Sequence, residues 1–303
     1  MSAKKFERLL VDLGSSTAKI YGQAGGSAEL LSSASIPFKE AFNEATGVTQ
    51  ANYLRLVGVI NSAKQRHAGL PMAAYATALF RKMSEQTFRE FAERLQEDTG
   101  VTATPVPHED EARYLELALA GRYDQPDPVL LINVGGGSTE LVVLEQQENV
   151  ESHQLDLGVG TLLKEFPELN EPHSGISLER VKQFVEPKVP TLKHSVGAAL
   201  FSGGELTYMR VAGYPLERNE LFTDPDHPQQ ISAGPLANRN REIFEAVTLS
   251  ELEAMMPDNP TWMHGARAYS AATQAIVEKY GVETVIPSDA NMINGLVRAK
   301  VAA

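Results

Sequence analysis

The residues of this sequence that are best suited to phosphate chemistry lie in two glycine-rich turns. The first turn interrupts the segment "VDLGSSTAKI", and the second interrupts "INVGGGSTEL". Glycine weakens a strand, because it loses more backbone entropy than other residues and packs no side chain. A turn without side chains, however, exposes backbone N–H groups to which phosphate oxygens bind. The predicted phosphate-binding residues of the two turns are Gly14, Ser15, Ser16, Gly135, Gly136, Gly137 and Ser138.

An acidic residue accompanies each turn. Asp12 precedes the first turn and Glu140 follows the second. Carboxylates alone would repel phosphate, but Mg²⁺ prefers carboxylate and phosphate oxygens together. The pattern therefore predicts that Asp12 and Glu140 hold Mg²⁺ beside a bound phosphate chain. Either turn alone is also typical of an ordinary β-hairpin, so the prediction depends on two turns with matched carboxylates and hydroxyls.

Both turns lie between predicted strands that form hairpins, over residues 7–22 and 129–144. The turns are about 120 residues apart, which corresponds to one compact domain each. The hairpins and the helices that follow them predict two similarly built α/β domains with mixed sheets. Periodicity and capping residues predict helices over 50–68, 84–99, 110–121, 177–196 and 264–281, a strand over 72–80 and an exposed loop over 224–233.

Composition narrows the classes of protein to which this chain could belong. The chain has 303 residues, 43% of them hydrophobic, which is enough for two domains with substantial cores. It has no cysteine, which excludes disulfides, thiolate metal sites and cysteine nucleophiles and fits a reducing cytoplasm. The net charge of −12 argues against nucleic acid as a partner. We read no signal peptide and no membrane span, and we expect a cytoplasmic homodimer.

The order of the motifs resembles that of the exopolyphosphatase and guanosine pentaphosphate phosphohydrolase (Ppx/GppA) family, within the actin, Hsp70 and sugar-kinase superfamily. "VDLGSSTAKI" stands where that family has D-x-G-S-N-S, and "INVGGGSTEL" stands where it has D-I-G-G-G-S-T-E. "YATALFR", "EDEARYLELALAG", "LGVG", "FSGGELT" and "PSDANMINGL" match further family segments in the same order. The resemblance covers residues 10–297, and the length is that of the short, two-domain form.

This resemblance implies a particular architecture. The fold would consist of two actin-like (ribonuclease H-like) domains, with mixed β-sheets flanked by helices and a cleft between the domains. The first domain would comprise residues 1–123 together with a returning C-terminal helix over residues 287–303. The second domain would comprise residues 124–286.

The resemblance also implies roles for individual residues. Glu111 aligns with the carboxylate that activates water as a general base, which the hydrolysis of a phosphoanhydride requires. Arg81 would hold phosphate oxygens through its bidentate guanidinium group. The loop "FSGGELT" adds Gly203 and Gly204 to the predicted phosphate-binding residues.

Position 133 departs from the family pattern, because this chain has Asn133 where the family has aspartate. An asparagine can still offer a carbonyl oxygen to Mg²⁺ or to its water, so Asn133 stays among the predicted metal-site residues with Asp12 and Glu140. It supplies no negative charge, and we expect weaker metal binding. Further departures are Pro107-His108, the segment "KMSEQ" after Arg81, and an alanine at position 290.

The sequence thus predicts a Mg²⁺-dependent hydrolase that removes terminal phosphate from inorganic polyphosphate or guanosine pentaphosphate. Two alternatives stay open. The first is an ATP-binding actin-like ATPase or kinase, because "FSGGELTYM" resembles the adenosine-side loop of the superfamily. The second is a sensor that binds polyphosphate or an alarmone without hydrolysis, which the departures around position 133 favour.

Overall fold

The computed structural model describes residues 6–119, 127–146, 148–221 and 227–302. They divide into two compact units, one formed by residues 1–118 with 292–303 and the other by residues 119–291. Each unit is an α/β structure with a mixed sheet flanked by helices, which confirms the predicted fold class. Among the described residues, no helix is both long enough and apolar enough to cross a membrane.

The N-terminal part of unit 1 contains β1 (Arg8–Leu13), β2 (Thr17–Ala24), β3 (Ser27–Ser35), α1 (Gln50–Arg66), β4 (Met72–Ala76), α2 (Glu85–Thr99), β5 (Thr102–Pro105) and α3 (His108–Leu119). Unit 2 contains β6 (Val129–Val134), β7 (Thr139–Glu145), β8 (Glu148–Leu155), α4 (Val159–Glu165), α5 (Leu178–Val185), β9 (Ala198–Phe201), α6 (Glu205–Val211), β10 (Glu217–Arg218), β11 (Gln229–Ser232), α7 (Ala233–Glu245), α8 (Leu249–Met255), α9 (Ala266–Tyr280) and β12 (Thr284–Pro287). The chain then returns to unit 1 with α10 (Met292–Ala302).

The two sheets repeat one strand order. In unit 1 the order is β3-β2-β1-β4-β5, with β1 antiparallel to β2 and parallel to β4. In unit 2 the order β8-β7-β6-β9-β12 has the same directions, and β11 and β10 extend the sheet beyond β12. The two predicted hairpins are therefore confirmed as β1–β2 and β6–β7. Each glycine turn occupies the same position in its own sheet.

Alternation along β1 places side chains on both faces of the unit 1 sheet. Val11 and Leu13 pack on one face, in the cluster that includes buried side chains of α1 and α2. Leu10 packs on the other face, where Ile293 and Leu296 of α10 complete a second cluster. A helix from the far end of the sequence therefore covers one side of this sheet.

The core of unit 2 is built around α9. Twelve consecutive residues of this helix, from Ala266 to Val277, are buried. Many of them are small, which allows a helix to be surrounded closely by its neighbours, here α5 and α7. Leu130 and Ile132 of β6 belong to the same apolar cluster, so the strand before the second glycine turn is anchored in this core.

Two predicted segments of regular structure differ from the structure. The helix predicted over 177–196 ends at Val185 and continues only as a 3-10 turn, Glu186–Lys188, because Pro187 within that turn has no N–H to continue a helical ladder. The strand predicted over 72–80 ends at Ala76, and Ala78–Lys82 form another 3-10 turn.

The exposed loop predicted over 224–233 is also wrong in part. Residues 222–226 lie outside the described part of the chain, but Gln229–Ser232 form β11, which pairs with β12. The segment is polar except for Ile231, whose side chain is buried in the unit 2 core. A single buried side chain in a four-residue strand leaves no periodicity to read. The predicted end of the helix 110–121 lies beyond the last described residue of α3.

Candidate active site

The first glycine turn joins β1 to β2. Gly14 N–H donates to the Thr17 carbonyl at 3.0 Å, and the Ser16 carbonyl accepts from Ile36 N–H at 3.0 Å. Within the described residues, the hydroxyls of Ser15 and Ser16 have no hydrogen-bond partner. Gly14 lacks a positive φ, and a Cβ there would meet Thr17 only at ordinary van der Waals distances. The local fold does not require a glycine here, and its absence of a side chain leaves the backbone open to a ligand.

Asp12 lies near the end of β1, opposite Lys19 on β2. Burial raises the pKa of the Asp12 carboxyl from 3.8 to about 6, while Lys19 lowers it and the charge of Glu111 raises it further. Asp12 and Glu111 are therefore electrostatic neighbours within unit 1. A carboxyl group with a raised pKa is one whose charged form is poorly solvated, so a nearby cation would stabilise that charged form.

Arg81 and Glu111 form an ion pair in the same unit. Arg81 lies in the 3-10 turn after β4, and Glu111 lies in the first turn of α3. Arg81 Nη1 donates to Glu111 Oε2 and also to the Val106 carbonyl, the latter at 3.1 Å. About a fifth of each charged side chain is exposed, 21% for Arg81 and 20% for Glu111. The structure thus brings the predicted general base into contact with the predicted phosphate-binding arginine.

The second glycine turn is fixed by the start of α4. Gly135 N–H donates to the Ser138 carbonyl at 2.8 Å, which closes the turn. The Gly135 carbonyl accepts from Val159 N–H at 2.9 Å, and the Gly136 carbonyl accepts from Gly160 N–H at 2.8 Å. Because these carbonyls are bound by α4, the turn has a defined conformation before any ligand arrives.

Gly158 makes this close approach of the turn and α4 sterically feasible. A Cβ at position 158 would lie 2.4 Å from the Gly135 carbonyl oxygen and 2.6 Å from Gly137 N. Both are backbone atoms, which cannot move aside as a flexible side chain could. Sequence reasoning noted the segment "LGVG" as a family match without assigning a role to Gly158, and the structure supplies that role.

Asn133 and Glu140 face each other across the β6–β7 hairpin. Asn133 Nδ2 donates to Glu140 Oε2 at 2.8 Å, and Ser138 Oγ donates to Glu140 Oε1 at 2.7 Å. Asn133 Oδ1 lies 3.4 Å from Ser202 Oγ, a contact at the long limit of a hydrogen bond. Glu140 is a buried carboxylate, 7% exposed, that is held by two neutral donors. The amide of Asn133 thus fixes the orientation of this carboxylate.

The loop with Gly203 and Gly204 lies next to the side chain of Asn133. Both glycines have left-handed φ angles, 103° and 117°, which other residues rarely adopt. A Cβ on Gly203 would lie 3.1 Å from Asn133 Oδ1. Backbone conformation therefore favours glycine at both positions, and the space beside Asn133 is a second reason for glycine at position 203.

The segment "PSDANMINGL" supports this loop from within unit 2. Gly203 N–H donates to the Ala290 carbonyl at 3.2 Å. Asp289 accepts from Thr207 twice, from its N–H at 2.9 Å and from its hydroxyl at 2.8 Å. The Asp289 carboxylate therefore caps the first turn of α6. Sequence reasoning matched this segment to the family but did not predict the Asp289–Thr207 contact.

The predicted site residues fall into two groups, one in each unit. The group in unit 1 contains Asp12, Gly14, Ser15, Ser16, Arg81 and Glu111. The group in unit 2 contains Asn133, Gly135, Gly136, Gly137, Ser138, Glu140, Gly203 and Gly204. In the described ranges, neither unit gathers three histidine, aspartate or glutamate side chains into a ready-made metal site. A metal ion would therefore need ligands from a phosphate substrate, from water or from additional protein groups.

The family model for the Ppx/GppA phosphatase family matches residues 23–224, about two thirds of the chain. This chain is a member of the Ppx/GppA phosphatase family. The matched range includes Arg81, Glu111 and the second glycine turn. As a family member, the protein belongs to a group of phosphatases whose motifs occur here in family order.

Solved structures support the fold of this Ppx/GppA member along its whole length. An exopolyphosphatase from Cytophaga hutchinsonii is similar with a TM-score of 0.77 at 11% identity, over 97% of each chain. The Aquifex aeolicus member of the Ppx/GppA family is similar with a TM-score of 0.69 at 20% identity, over 97% of each chain. An exopolyphosphatase-like protein is similar with a TM-score of 0.70 at 14% identity, over 98% of each chain. At these identities the likeness shows the fold alone, with two α/β units that each contain a mixed sheet flanked by helices.

Proposed function

We propose that this protein hydrolyses the terminal phosphoanhydride bond of inorganic polyphosphate, with Glu111 as the general base. The observation that carries the proposal is the contact of Arg81 with Glu111, whose charge also acts on Asp12 at the end of β1. Membership of a phosphatase family supports the reaction class. The similar structures that are named exopolyphosphatases support polyphosphate as the substrate class.

In this proposal Glu111 removes a proton from the attacking water. The water oxygen forms a bond to the terminal phosphorus, and the bridging P–O bond on the opposite side breaks. The products are inorganic phosphate and a chain that is one phosphate shorter. Glu111 is partly exposed, so a water molecule can reach its carboxylate. Arg81 holds this carboxylate in one orientation, which a general base needs.

Arg81 can contact the base and the substrate at the same time. Its Nη1 is bound to Glu111 and to the Val106 carbonyl. Within the described residues, its Nε and Nη2 have no hydrogen-bond partner. These remaining donors can bind oxygens of the terminal phosphate, because guanidinium matches phosphate in planar, bidentate geometry. Arg81 would thereby place the phosphorus near Glu111.

The glycine turns would bind the phosphate chain through backbone donors. The Gly14 and Gly135 N–H groups are already engaged within their turns. Within the described residues, the N–H groups of Ser15, Ser16 and Gly137 make no such hydrogen bond. We assign phosphate contacts to these three, with the hydroxyls of Ser15 and Ser16 as further donors.

The residues present are compatible with Mg²⁺ as cofactor. Asp12 is a carboxylate whose charged form a cation would stabilise, since burial raises its pKa. Glu140 is a second carboxylate with a fixed orientation, and Asn133 keeps its Oδ1 on the side away from Glu140. Asp12 in one unit, and Glu140 with Asn133 Oδ1 in the other, are the groups that would supply oxygen ligands to Mg²⁺, directly or through water, together with substrate oxygens. When bound, the ion would neutralise charge on the phosphate oxygens.

One observation favours a second candidate function, that of a polyphosphate or alarmone sensor without turnover. The neutral amide of Asn133 donates a hydrogen bond to the Glu140 carboxylate. The aspartate of the family pattern would instead place two carboxylates together, and these would need a cation between them. Weak metal binding would follow, and hydrolysis would suffer more than phosphate binding. Guanosine pentaphosphate presents the same terminal anhydride as polyphosphate and is the alternative substrate in either case.

The deciding experiment is phosphate release from long-chain polyphosphate and from guanosine pentaphosphate, with Mg²⁺ titrated. Glu111→Gln should lower kcat by roughly 10²–10⁴-fold, while Glu109→Gln, an exposed residue of the same helical turn, should leave it unchanged. Equal turnover in the parent and in Glu111→Gln would refute the assigned base. Tight polyphosphate binding by the parent without phosphate release at any Mg²⁺ concentration would establish the sensor instead. Tight ATP binding by calorimetry, without polyphosphate turnover, would establish the ATPase or kinase alternative.

A further inference from the structure

A groove of about 510 Å³ lies in unit 1, beside the first glycine turn. One side is formed by residues 32–36, at the end of β3 and just beyond it. The other side is one face of α1, which carries Arg55, Gly58, Ser62 and Arg66. Arg55 and Arg66 are eleven residues apart and therefore roughly 16 Å apart along the helix axis. The groove therefore follows α1 over about three helical turns, with Arg55 and Arg66 as its outermost residues on the helix.

The charge of the groove is opposite to that of the whole protein. The chain carries a net charge of −12, yet of the ten described lining residues two are arginines and none is acidic. The basic residues of α1 are Arg55, Lys64 and Arg66, and the helix contains no acidic residue. Lys64 donates to the Thr99 carbonyl at 2.6 Å, so it is bound elsewhere. The two groove arginines remain as the cations that could meet an anionic ligand.

Both arginines are exposed. Arg55 has no hydrogen bond or ion pair to any described residue. Arg66 donates to the Ser62 carbonyl through Nε and to Ser62 Oγ through Nη2, both at 3.3 Å. These contacts orient the guanidinium along α1 without neutralising it. Ser32, on the same face of β3 as Ala34 and Ile36, and Ser62 of α1 add hydroxyl groups to the lining.

Gly58 lies in the middle of α1 without a packing reason. A glycine inside a helix is unfavourable compared with alanine. A Cβ at position 58 would meet no heavy atom within 4 Å, and φ is not positive there. Neither close packing nor backbone conformation explains this glycine. A groove floor without a side chain, between two arginines, is what a ligand lying along the helix requires.

The groove begins directly at the first glycine turn. Ile36 N–H donates to the Ser16 carbonyl at 3.0 Å, and Ser35 is paired with Thr17 across the β2–β3 ladder. The start of α1 is fixed at the same end, because Asn52 Nδ2 donates to the Pro37 carbonyl at 2.8 Å. Arg55 follows Asn52 by about one helical turn. Arg55 therefore lies at the end of the groove near the turn, and Arg66 lies at the far end.

We propose that this groove binds the distal part of a polyphosphate chain whose terminal phosphates lie at the first glycine turn. The inference rests on the proposed function and deepens it, since it selects long inorganic polyphosphate over guanosine pentaphosphate as the substrate. Arg55 contacts the chain close to the turn, and Arg66 contacts it further from the reacting end. Ser32 and Ser62 supply hydrogen bonds to the phosphate oxygens between the two arginines. A short phosphate chain does not reach Arg66, so only long chains gain from it.

The test is equilibrium binding of long-chain polyphosphate, tripolyphosphate and guanosine pentaphosphate in low salt. Arg55→Gln/Arg66→Gln is compared with Arg89→Gln/Arg180→Gln, which has the same net charge and replaces two exposed arginines outside the groove. Loss of two charge-assisted contacts should weaken long-chain binding by about tenfold or more. Tripolyphosphate and guanosine pentaphosphate do not reach Arg66, so they should lose clearly less affinity than long chains in the groove variant. The control should bind all three ligands within twofold of the parent.

A second variant changes the shape of the groove without changing its charge. Gly58→Leu places a side chain on the groove floor, and it should weaken long-chain binding to a similar extent while the melting temperature stays level or rises, because leucine favours helix. Equal long-chain affinity in the groove variant and the charge control would overturn the proposal. A parallel loss for guanosine pentaphosphate would overturn it as well, because the groove would then bind a nucleotide.

The binding readout separates this inference from the proposed function. A parent protein that binds long polyphosphate through Arg55 and Arg66 but releases no phosphate would refute hydrolysis and support the groove. A parent that hydrolyses polyphosphate with unchanged KM in the groove variant would support hydrolysis and refute the groove.

Discussion

Asn133 Nδ2 lies 2.8 Å from Glu140 Oε2, directly across the hairpin that carries the second glycine turn. An aspartate at this position, as in the family pattern, would bring two carboxylates to that separation. Two carboxylates at that separation either hold a cation between them or share a proton, which leaves only one of them ionised. In this protein the Asn133 amide donates a hydrogen bond to Glu140 in place of a cation, so the Glu140 carboxylate has a fixed position in the absence of metal.

Restoring the acidic residue should make the stability of the protein dependent on metal. Asn133→Asp removes a hydrogen bond to a charged group, which costs roughly 1.5–3 kcal/mol of unfolding free energy, and it adds repulsion with Glu140. We expect lower stability than the parent in chelator and a larger gain on adding Mg²⁺. Urea unfolding in both conditions measures this, with the exposed Asn238→Asp as the control. Equal stability of the parent and Asn133→Asp in chelator would contradict the described contact.

The second turn should depend sterically on Gly158. Gly158→Ala places a Cβ 2.4 Å from the Gly135 carbonyl oxygen, so the turn and α4 must separate. Overpacking of this kind costs roughly 1–3 kcal/mol, and polyphosphate affinity should fall because the donors move. Gly234→Ala is the matched control, since a Cβ there meets nothing within 4 Å. Thermal unfolding and polyphosphate binding test the prediction, which fails if both glycine variants behave alike.

Asp12 should cost stability at neutral pH when no metal is bound. The pKa of its carboxyl is about 6 in the folded protein against an ordinary value of 3.8, so the folded state binds the proton more tightly than the unfolded state does. The contribution of Asp12 to the unfolding free energy is therefore highest below about pH 4. It decreases as the pH rises through 6 and stays low above that. Asp12→Asn should stabilise the metal-free protein at pH 8 by roughly 1–3 kcal/mol.

The same substitution should have a much smaller effect at pH 4, which is close to the ordinary pKa of the group and well below its pKa in the folded protein. Urea unfolding at pH 4 and pH 8 in chelator measures the difference between the parent and Asp12→Asn. Asp258→Asn, which changes an exposed aspartate, is the control for net charge. A stability difference that is the same at both pH values would show that the carboxyl is not desolvated.

Arg81→Lys tests whether the guanidinium fork matters in addition to its charge. Lysine keeps the positive charge but cannot bind Glu111, the Val106 carbonyl and a phosphate oxygen in one plane. We expect kcat/KM for polyphosphate to fall by roughly 10²-fold, because the phosphate and the base lose their alignment. Unfolding free energy should change by less than about 1 kcal/mol, since the pair is partly exposed. Arg89→Lys, an exposed arginine of α2, is the control.

The two glycine hairpins could be predicted from sequence because their signals are local. Each hairpin combines apolar strands with a glycine turn, and the register that pairs Asn133 with Glu140 follows from the turn between them. The contact between Arg81 and Glu111 could not be predicted from local pattern, because it spans 30 residues and depends on how β4 and β5 are paired. Resemblance assigned both residues to one site, and only the fold shows that they touch.

Other elements were missed because tertiary contacts outweigh local pattern. β3 and β8 are largely exposed edge strands with mixed polar sequences, so neither has a clear alternation of apolar residues. The need for glycine at position 158 arises from a turn that is more than twenty residues away in the chain. The groove beside α1 was not predicted either, because it requires the end of β3 and one face of the helix together.

The return of α10 to unit 1 determines the order in which the units can be completed during synthesis. Leu10, Tyr21 and Tyr75 lie on the sheet face that is closed by Ile293 and Leu296 of α10. Gly295 lies so close to the Tyr114 carbonyl that a Cβ there would be 1.6 Å from its oxygen, so this helix fits in one place only. Domains usually fold from the N-terminus onward as they leave the ribosome. In this protein, unit 1 is synthesised first but keeps an open apolar face until residue 296 has left the ribosome. Unit 2 lies between the two parts of unit 1 in the sequence, so it can finish folding before unit 1 does.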